Sequence, residues 1–389
     1  MQLFRQEPNF NFVGSARFFG VVSFGFVVAS IIGLFTVGLN LGIDFAGGYE
    51  IQVKFDEPVS ETEIRNLVQP LGLGDARVQR FGSVDDNEYL ILVREHGTIT
   101  VATKKALRAD FDRLAGGEEH ILSWSVAESG ENLQVTFDGP ITKSQVREVV
   151  EGHGLEIKRI GKSERQDRPD FSVDLVSIAD HIERALVAGL NVAEGTELVR
   201  RQEFVGPQVG AQLRNQGFLA IIYALLFILL YIAVRFDLFF SPGAVVALIH
   251  DVAITVGVFI VFQLEFNLPI VAAILALIGY SLNDTIVVYD RIRENTLRLR
   301  GRSLRAMVNT SINQTLSRTV LTSGTTLIVV GALLVFGGGI IRDFSIALCV
   351  GVIVGTYSSI WIASPVYILL RERSAGGSKS RSDASAAAA

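Results

Sequence analysis

The sequence predicts a polytopic α-helical membrane protein with six transmembrane helices. It also predicts a ferredoxin-like α+β domain, present in two copies, between the first helix and the second. Three observations predict this fold. Of the 389 residues, 49% are hydrophobic and only 19% are charged, and the mean hydropathy of +0.40 is high for a water-soluble chain. Six segments are apolar over the roughly 20 residues that a helix needs to cross a bilayer. The long polar stretch after the first segment contains an internal repeat.

The six predicted spans lie at about 18–40, 215–234, 242–262, 268–289, 313–336 and 344–370. Two interpretations of the first span are open, a cleaved signal peptide and a membrane anchor. Its apolar run is longer than the hydrophobic region of a typical signal peptide, and no clear small-residue cleavage site follows it. We therefore expect an uncleaved anchor.

Positive charge on the loops predicts the orientation. Basic residues occur in the N-terminal tail, 1–17, in the turn after the second span and in the C-terminal tail, 371–389. The loop after the fourth span carries six arginines between Arg291 and Arg305. Six alternating spans place all of these loops on one side, which we expect to be the cytoplasm. Residues 41–210 then lie outside. The low-complexity C-terminal tail is predicted to be disordered.

The outside region contains two similar segments. The stretch IQVKFDEPVSETEIRNLVQPLG from residue 51 aligns with LQVTFDGPITKSQVREVVEGHG from residue 133. Each copy begins with alternating apolar and polar residues, typical of a half-buried strand, and continues with a capping box before a helical pattern. We predict two βαββα units of ferredoxin-like type, at about 50–115 and 132–190. Two functions remain open for them: a solvated structural domain, or a surface that binds an extended chain at a sheet edge.

At the exit from the first span the chain reads GIDFAGG. Asp44 ends the apolar run, and Gly47 and Gly48 allow a tight backbone path into the first strand. We expect a flexible hinge between anchor and domain here in preference to a ligand site.

One carboxylate, Asp284, lies inside the fourth apolar segment. Ionisable groups within spans cost at least a few kcal/mol, so they usually face a protein interior or a water-filled cavity. Arg318, in the fifth span, is the only charge between Ala306 and Ile341. The fourth and fifth spans are consecutive and antiparallel, and both charges lie near their cytoplasmic ends. Arg318 is therefore the expected partner of Asp284.

Two influences act on Asp284, since burial favours the neutral acid and a nearby guanidinium favours the carboxylate. If Arg318 can move away or find another acid, the carboxyl group can change state, as a proton pathway requires. The alternative is a static ion pair. His250 and Asp251 of the third span can either carry protons or simply hydrogen-bond to a neighbouring helix. The expected hydrogen-bonding neighbours of the Asp284–Arg318 pair are Ser281, Asn283, Thr322 and Thr325.

Several classes of function are not predicted. The single cysteine, Cys349, excludes a disulfide within the chain, and no Cys/His spacing typical of a metal site occurs. No P-loop and no nucleophile–base arrangement is present, so we expect neither an enzyme nor a cofactor. The net charge of -5 gives no indication of nucleic-acid binding.

The chain resembles SecF, a subunit of the bacterial SecD–SecF protein-translocation complex, in six motifs. The resemblance covers both flanks of the outside domain and nearly all of the predicted membrane portion. The motifs are GIDFAGG from residue 42, VGPQVG from 205, YIAVRFDLFFSPGAVVALIHD from 231, AAILALIGYSLNDTIVVYDRIREN from 272, INQTLSRTVLTSGTT from 312 and GVIVGTYSSIWIASPV from 351.

The resemblance implies a bacterial inner-membrane protein with cytoplasmic termini and a periplasmic domain, paired with SecD in an RND-like bundle. It implies the SecYEG translocon, YajC, the translocating polypeptide and membrane lipid as further partners. The complex is expected to use the proton-motive force for late steps of translocation. The family's aspartate in GYS-x-x-DT falls on Asp284. The family's arginine in R-T-x-x-T-S falls on Arg318, which is expected to face an aspartate of SecD as well.

The duplicated outside domain departs from the resemblance, because a typical SecF carries one such unit. Which copy performs the family's role is left open. Two rival functions also remain: a proton-coupled small-molecule exporter subunit of the RND type, and a passive scaffold that only stabilises the translocon.

Overall fold

A computed structural model of the chain describes residues 8–73, 76–81, 86–94, 99–165, 168–190, 192, 196–236 and 239–374. The predicted tails therefore lie outside the described residues over 1–7 and 375–389. The chain divides into two compact units. The membrane unit comprises Met1–Leu41 and Asn215–Ala389, and the polar unit comprises Gly42–Arg214.

The described elements follow one another in this order: α1 (Phe12–Thr36), β1 (Asn40–Leu41), α2 (Ile43–Ala46), β2 (Gly48–Lys54), α3 (Glu61–Val68), β3 (Arg77–Phe81), β4 (Glu88–Val93), α4 (Val101–Ala115), β5 (Ile121–Val126), β6 (Asn132–Phe137), α5 (Lys143–Gly152), β7 (Ile157–Arg165), β8 (Arg168–Leu175), α6 (Ile178–Leu190), β9 (Val199–Val205), α7 (Pro207–Arg235), α8 (Ser241–Phe262), β10 (Glu265–Phe266), α9 (Leu268–Arg298), α10 (Leu304–Phe336) and α11 (Gly339–Ser358). A π-helical turn, Ser359–Ala363, follows α11, and the helix then continues to Ser374.

Six helices of the described residues are long and apolar enough to cross a bilayer, namely α1, α7, α8, α9, α10 and the helix that begins with α11. Helices α8, α9 and α11 pack against one another, α1 packs on α8, and α10 packs on α9 and α11. Small residues allow these close approaches. A Cβ added to Gly351 would overlap Leu277, and a Cβ added to Gly355 would lie 2.8 Å from that of Ser281.

Several helices extend beyond the apolar stretches from which the spans were predicted. Helix α1 begins at Phe12, where the Asn11 side chain accepts a hydrogen bond from the Gly14 amide. Helix α10 begins at Leu304 after the cap Ser303. Capping residues set the ends of a helix, whereas hydropathy indicates only the part that fits in hydrocarbon. The bilayer-spanning helices are therefore longer than their spans at the polar ends.

The polar unit contains two antiparallel four-stranded sheets. The first has the order β3-β4-β2-β9. Helices α3 and α6 cover one of its faces, where Ile64 and Ile182 pack with strand residues such as Tyr49, Ile51 and Ile91. All five are at most 1% exposed, so this half has an apolar core of its own.

The second sheet has the order β5-β6-β8-β7. Helices α4 and α5 cover one face, where Phe111 and Val146 pack with Leu133, Val135 and Phe171. The opposite face is polar, and Asn132 there donates to Ser172 at 3.1 Å and to Asp174 at 2.7 Å.

The compact halves do not coincide with the sequence repeats. The repeat predicted α4 as the last helix of the first unit and α6 as the last helix of the second. The structure packs α4 on the second sheet and α6 on the first. The strands that follow these helices lie in the same sheets, β5 in the second and β9 in the first. Periodicity indicates which face of a helix is apolar. It does not indicate which of two similar sheets that face packs against. The second half, residues 101–175, is thus inserted in the chain between β4 and α6.

Candidate functional site

Asp284 is one of two buried aspartates among the described residues of the membrane unit. Helix α9 positions it, and the residue is only 3% exposed. The Ser323 hydroxyl donates to Oδ2 at 3.4 Å, and Ser323 lies 2.6 Å from the hydroxyl of Thr356 on α11. A bond of 3.4 Å is long for a hydroxyl donor. The carboxyl group is therefore removed from water with little hydrogen bonding in return.

Arg318 lies on α10 and acts on Asp284 electrostatically without a direct ion pair between them. Its side chain is exposed on the surface of the membrane unit. Thr322, one turn further on, lies close enough to influence the same carboxyl group. Its hydroxyl, however, donates to the carbonyls of Arg318 and Thr319 at 3.0 Å each. The two predicted charges are therefore neighbours, but the arginine side chain remains available to another group.

Asp251 is the second buried carboxylate, on α8, and is 1% exposed. The Ser281 hydroxyl of α9 donates to Oδ2 at 2.5 Å, and the Ser358 hydroxyl of α11 donates to the same oxygen at 2.8 Å. Oδ1 lies 2.8 Å from Nδ1 of His250. Three donors thus surround this carboxylate, and the bonds join α8, α9 and α11.

The structure divides the predicted supporting residues between several places. Ser281 hydrogen-bonds to Asp251 and not to Asp284. Asn283 is exposed, and so is Thr325, whose hydroxyl donates within its own helix to Leu321 and Thr322. Helical spacing predicted that Ser281 and Asp284 share a face, but not which neighbouring helix each would meet.

Three hydroxyl residues of the site were missed: Ser323, Thr356 and Ser358. Ser323 lies in the fifth span, directly after the predicted neighbour Thr322. Thr356 and Ser358 belong to the run TYSS in the last span. A cluster of hydroxyl residues in an otherwise apolar span was the signal for them, because polar groups buried between membrane helices need partners.

The GIDFAGG motif packs against the VGPQVG motif within the polar unit. Gly47 has φ +76° and Gly48 has φ +123°, a backbone region that strongly favours glycine. A Cβ on Gly47 would lie 2.9 Å from Cα of Pro207, and one on Gly48 would overlap the carbonyl oxygen of Val93. Gly48 is also paired with Val205 as the first residue of β2. Where we expected a flexible hinge, the structure has a closely packed joint next to Asp44, which lies in α2.

Two carboxylates of the polar unit line one cavity of about 680 Å³. Glu131 accepts a hydrogen bond from Gln202 at 2.6 Å, and burial raises the pKa of its carboxyl group above the ordinary value. Burial acts on Asp180 in the same direction, but bonds from Lys158 and Ser177 outweigh it and hold the pKa of Asp180 below its ordinary value. Among the described residues, no group of three or more His, Cys, Asp or Glu side chains could hold a metal ion.

Comparison with known proteins identifies the family. Residues 188–373 match the model of the protein export membrane protein SecD/SecF C-terminal family, and residues 32–59 match the SecD/SecF GG motif. The protein translocase subunit SecF of Koribacter versatilis is 39% identical over 390 residues, covering 96% of this chain and 94% of its own. The SecF of Magnetococcus marinus is 38% identical over 370 residues, covering 95% of this chain and 94% of its own.

Solved structures agree with this assignment. The crystal structure of SecDF, a translocon-associated membrane protein from Thermus thermophilus, matches with a TM-score of 0.66 and 30% identity over 95% of this chain. A SecDF structure in a super-membrane-facing form matches with a TM-score of 0.58 and 32% identity over 97% of this chain. This chain spans 40% and 41% of those two SecDF chains, so the homologues indicate a SecD partner.

The six apolar helices, the family matches over nearly the whole length and the SecDF neighbours lead to one conclusion. The chain is a multi-pass inner-membrane protein that belongs to the SecF family, the protein translocase subunits that act in Sec-dependent protein export.

Proposed function

We propose that this chain, together with SecD, couples proton flow across the inner membrane to late steps of preprotein translocation. The observation that carries the proposal is the state of Asp284. Its carboxyl group is buried and receives a long hydrogen bond from Ser323. The Thr322 hydroxyl and the Arg318 guanidinium lie nearby, and the guanidinium forms no direct ion pair with it. A carboxyl group held in this way can gain or lose a proton when its basic neighbour moves.

Arg318 changes partners during this cycle. When the guanidinium approaches Asp284, the carboxylate is the favoured form. When it turns to an acidic group of SecD, Asp284 is buried without a counter-charge and takes up a proton from the outer side. Each proton that crosses supplies about 2.3 kcal/mol per 100 mV of membrane potential, in addition to the contribution of the pH gradient.

An exposed helix face supports the proposed contact with SecD. On α9, the exposed residues Ala272, Ala276, Gly279 and Asn283 follow one another at spacings of four, three and four residues, which places them on one side of the helix. Small residues permit another helix to approach closely. The neighbouring helix α10 exposes Arg318, and a cation at the surface of an apolar bundle calls for an acidic partner. SecD supplies that partner in our proposal.

The polar unit is the part that handles the polypeptide in this proposal. The excess of arginine on the loops supports cytoplasmic termini and a periplasmic polar unit. We regard both halves as ferredoxin-like units, since each has four antiparallel strands and two helices. Their edge strands, β3 and β9 in one sheet and β5 and β7 in the other, can add an extended chain by backbone hydrogen bonding. SecYEG, YajC and the surrounding lipid are the remaining proposed partners.

The test replaces one carboxyl group by an amide. Asp284→Asn should assemble normally with SecD but lose the part of preprotein export that depends on the proton gradient. The measurement is export of a model preprotein into membrane vesicles, with and without an imposed gradient. The matched control is Asp290→Asn, an exposed residue on the same helix that pairs with Arg293 at 3.1 Å and should export like the parent. Full gradient-dependent export by Asp284→Asn would refute the coupling.

A further inference from the structure

His250 is a buried titratable group that the Asp284 mechanism does not use. It precedes Asp251 on α8 and is 5% exposed. The two serine hydroxyls donate to Oδ2 of Asp251, and Nδ1 of His250 lies 2.8 Å from Oδ1. An ionised Asp251 has only acceptors to offer, and the imidazole then donates from Nδ1. In the neutral ring, Nε2 is then an acceptor with a free lone pair.

Nothing in the described part of the chain hydrogen-bonds to that Nε2 atom, although it is buried. The ring of Tyr357 stacks beside the imidazole, with an angle of 21° between the two planes and a centroid distance of 6.1 Å. The Tyr357 hydroxyl is engaged elsewhere, 2.7 Å from Ser23 and donating to the carbonyl of Phe19 at 2.8 Å. A buried acceptor without a partner costs free energy, whereas Asp251 beside it is fully hydrogen-bonded.

We propose that His250 is a second proton-binding group of the membrane unit, with Nε2 as the basic atom and Asp251 as its positioning residue. The role in transport, though not the proton binding itself, rests on the proposed proton coupling. A hydronium ion at the outer side gives up a proton, an N–H bond forms at Nε2, and water is left. The imidazolium is then paired with the Asp251 carboxylate. The positive charge that the proton brings is therefore balanced by a neighbouring negative charge.

The surroundings of His250 contain few other charges. Helix α1, which packs on α8, has no charged residue between Phe18 and Thr36. The titratable residue that α11 contributes beside His250 is Tyr357. Helix α9 contributes Tyr280 and Asp284, the titratable residues nearest to Ser281 in the sequence. Ser281, which binds Asp251, precedes Asp284 by about one helical turn, so the Asp251 carboxylate of α8 meets α9 next to Asp284.

The direct test is nitrogen NMR of the full-length chain in complex with SecD in lipid, with ¹⁵N-labelled histidine. The chain has five histidines, so the spectrum of His250→Asn identifies the His250 signals by subtraction. We expect a neutral ring protonated at Nδ1 at high pH and a proton bound at Nε2 as the pH falls. A neutral ring protonated at Nε2, or no protonation change between about pH 5 and 8, the range in which histidine ordinarily titrates, would overturn the proposal.

Two variants extend the test to transport. His250→Asn keeps a donor at the position of Nδ1 but has no atom at Nε2, whereas His250→Gln keeps an amide near Nε2 but loses the donor to Asp251. Since neither side chain can carry the proton, both should reduce gradient-dependent export roughly a hundredfold or more, the lower end of what a positioned proton-transfer group contributes. His250→Asn should do so with normal assembly. Normal gradient-dependent export by His250→Asn would overturn the transport role.

The experiment separates this inference from the coupling proposal. If Asp284→Asn retains full gradient-dependent export, the coupling fails, while the NMR titration still decides whether His250 binds a proton. If Asp284→Asn is inactive and His250 shows the Nδ1 tautomer without titrating, only the second proton site fails.

Discussion

Asp251 and Asp284 are buried to nearly the same extent, 1% and 3% exposed, on neighbouring helices of one bundle. Asp251 has three hydrogen-bonding neighbours within 2.8 Å, whereas Asp284 has the Ser323 hydroxyl at 3.4 Å and the Thr322 hydroxyl close by. A carboxylate that receives several hydrogen bonds is stabilised in its charged form, and one that receives few is not. The two sites therefore differ in the number of donors and not in the depth of burial, and we propose that this difference makes Asp251 an anchor and Asp284 the group that changes its protonation state.

The same contrast occurs outside the membrane unit, where Asp180 and Glu131 line one cavity. Asp180 receives bonds from Lys158 at 2.8 Å and from the amide and hydroxyl of Ser177 at 2.8 and 2.9 Å, and its pKa is lowered. Among the described residues, Glu131 has only Gln202 and Tyr49 as hydrogen-bonding side chains, and burial raises its pKa in spite of them. The rule can therefore be tested in water as well as in lipid.

The largest expected effect on stability follows from removing the side chain of Asp251. Asp251→Ala leaves the Nδ1–H of His250 and the hydroxyls of Ser281 and Ser358 buried without their acceptor. Breaking a buried charged network from one side costs about 3–5 kcal/mol, so the variant should assemble poorly. Thermal unfolding of the purified protein and its level in the membrane measure the loss.

The matched variants are Asp284→Ala and Asp290→Ala. Asp284→Ala removes a poorly bonded carboxyl group and should assemble far better than Asp251→Ala. Asp290→Ala removes an exposed group whose ion pair with Arg293 is also exposed, and should assemble like the parent because such pairs contribute little. Equal losses for Asp251→Ala and Asp284→Ala would contradict the distinction between anchor and switch.

A smaller effect is expected at Asp180, in the first turn of α6. Its carboxylate accepts a hydrogen bond from the Ser177 amide, and the Ser177 hydroxyl accepts one from the Asp180 amide. Asp180→Asn should lower the stability of the polar unit by about 1 kcal/mol at pH 7, the usual size of a lost helix cap. The folded pKa is below the unfolded one, so this stabilisation is present above the ordinary pKa of about 4 and is lost as the pH falls through the folded value. The difference between variant and parent should therefore disappear in acid.

Tryptophan fluorescence can follow this unit in the full-length chain. Of the two tryptophans, Trp124 lies in β5 of the polar unit and Trp361 in the membrane unit, so a Trp361→Phe background isolates the first. Glu156→Gln, which breaks an exposed pair with Arg184, is the control with little expected effect. A loss for Asp180→Asn that persists unchanged in acid would argue against the carboxylate as its cause.

The smallest effect is expected at Glu131, and with the opposite sign. Its folded pKa is above the unfolded one, so its favourable contribution is present below the ordinary value of about 4.3 and is lost as the pH rises through the folded value. Glu131→Gln keeps an oxygen that can accept from Gln202 but removes the charge. The variant should unfold at a slightly higher temperature than the parent at pH 8 and at the same temperature in acid. A lower unfolding temperature at pH 8 would count against the rule.

Much of the fold was predictable because the signals are local. Hydropathy located the six apolar helices. Asp284 and Arg318 were chosen as candidates because each is a charged residue within an apolar segment. The capping boxes at Ser60 and Thr142 are present as predicted, because a capping box involves residues only three positions apart. By contrast, the predicted hinge at Gly47 and Gly48 is a packed joint, since its partners Val93 and Pro207 are distant in sequence.

The sequence by itself determined which segments are apolar, which residues share the face of a helix or strand, and where charge is buried, since each depends on near neighbours in the chain. Only the tertiary structure decided that Ser281 donates to Asp251 and that Asn283 is exposed. It also decided that α4 packs on the second sheet and α6 on the first. Helical and strand periodicity defines a face but not the element packed against it. That choice depends on side-chain packing between segments far apart in the chain, which no local pattern contains.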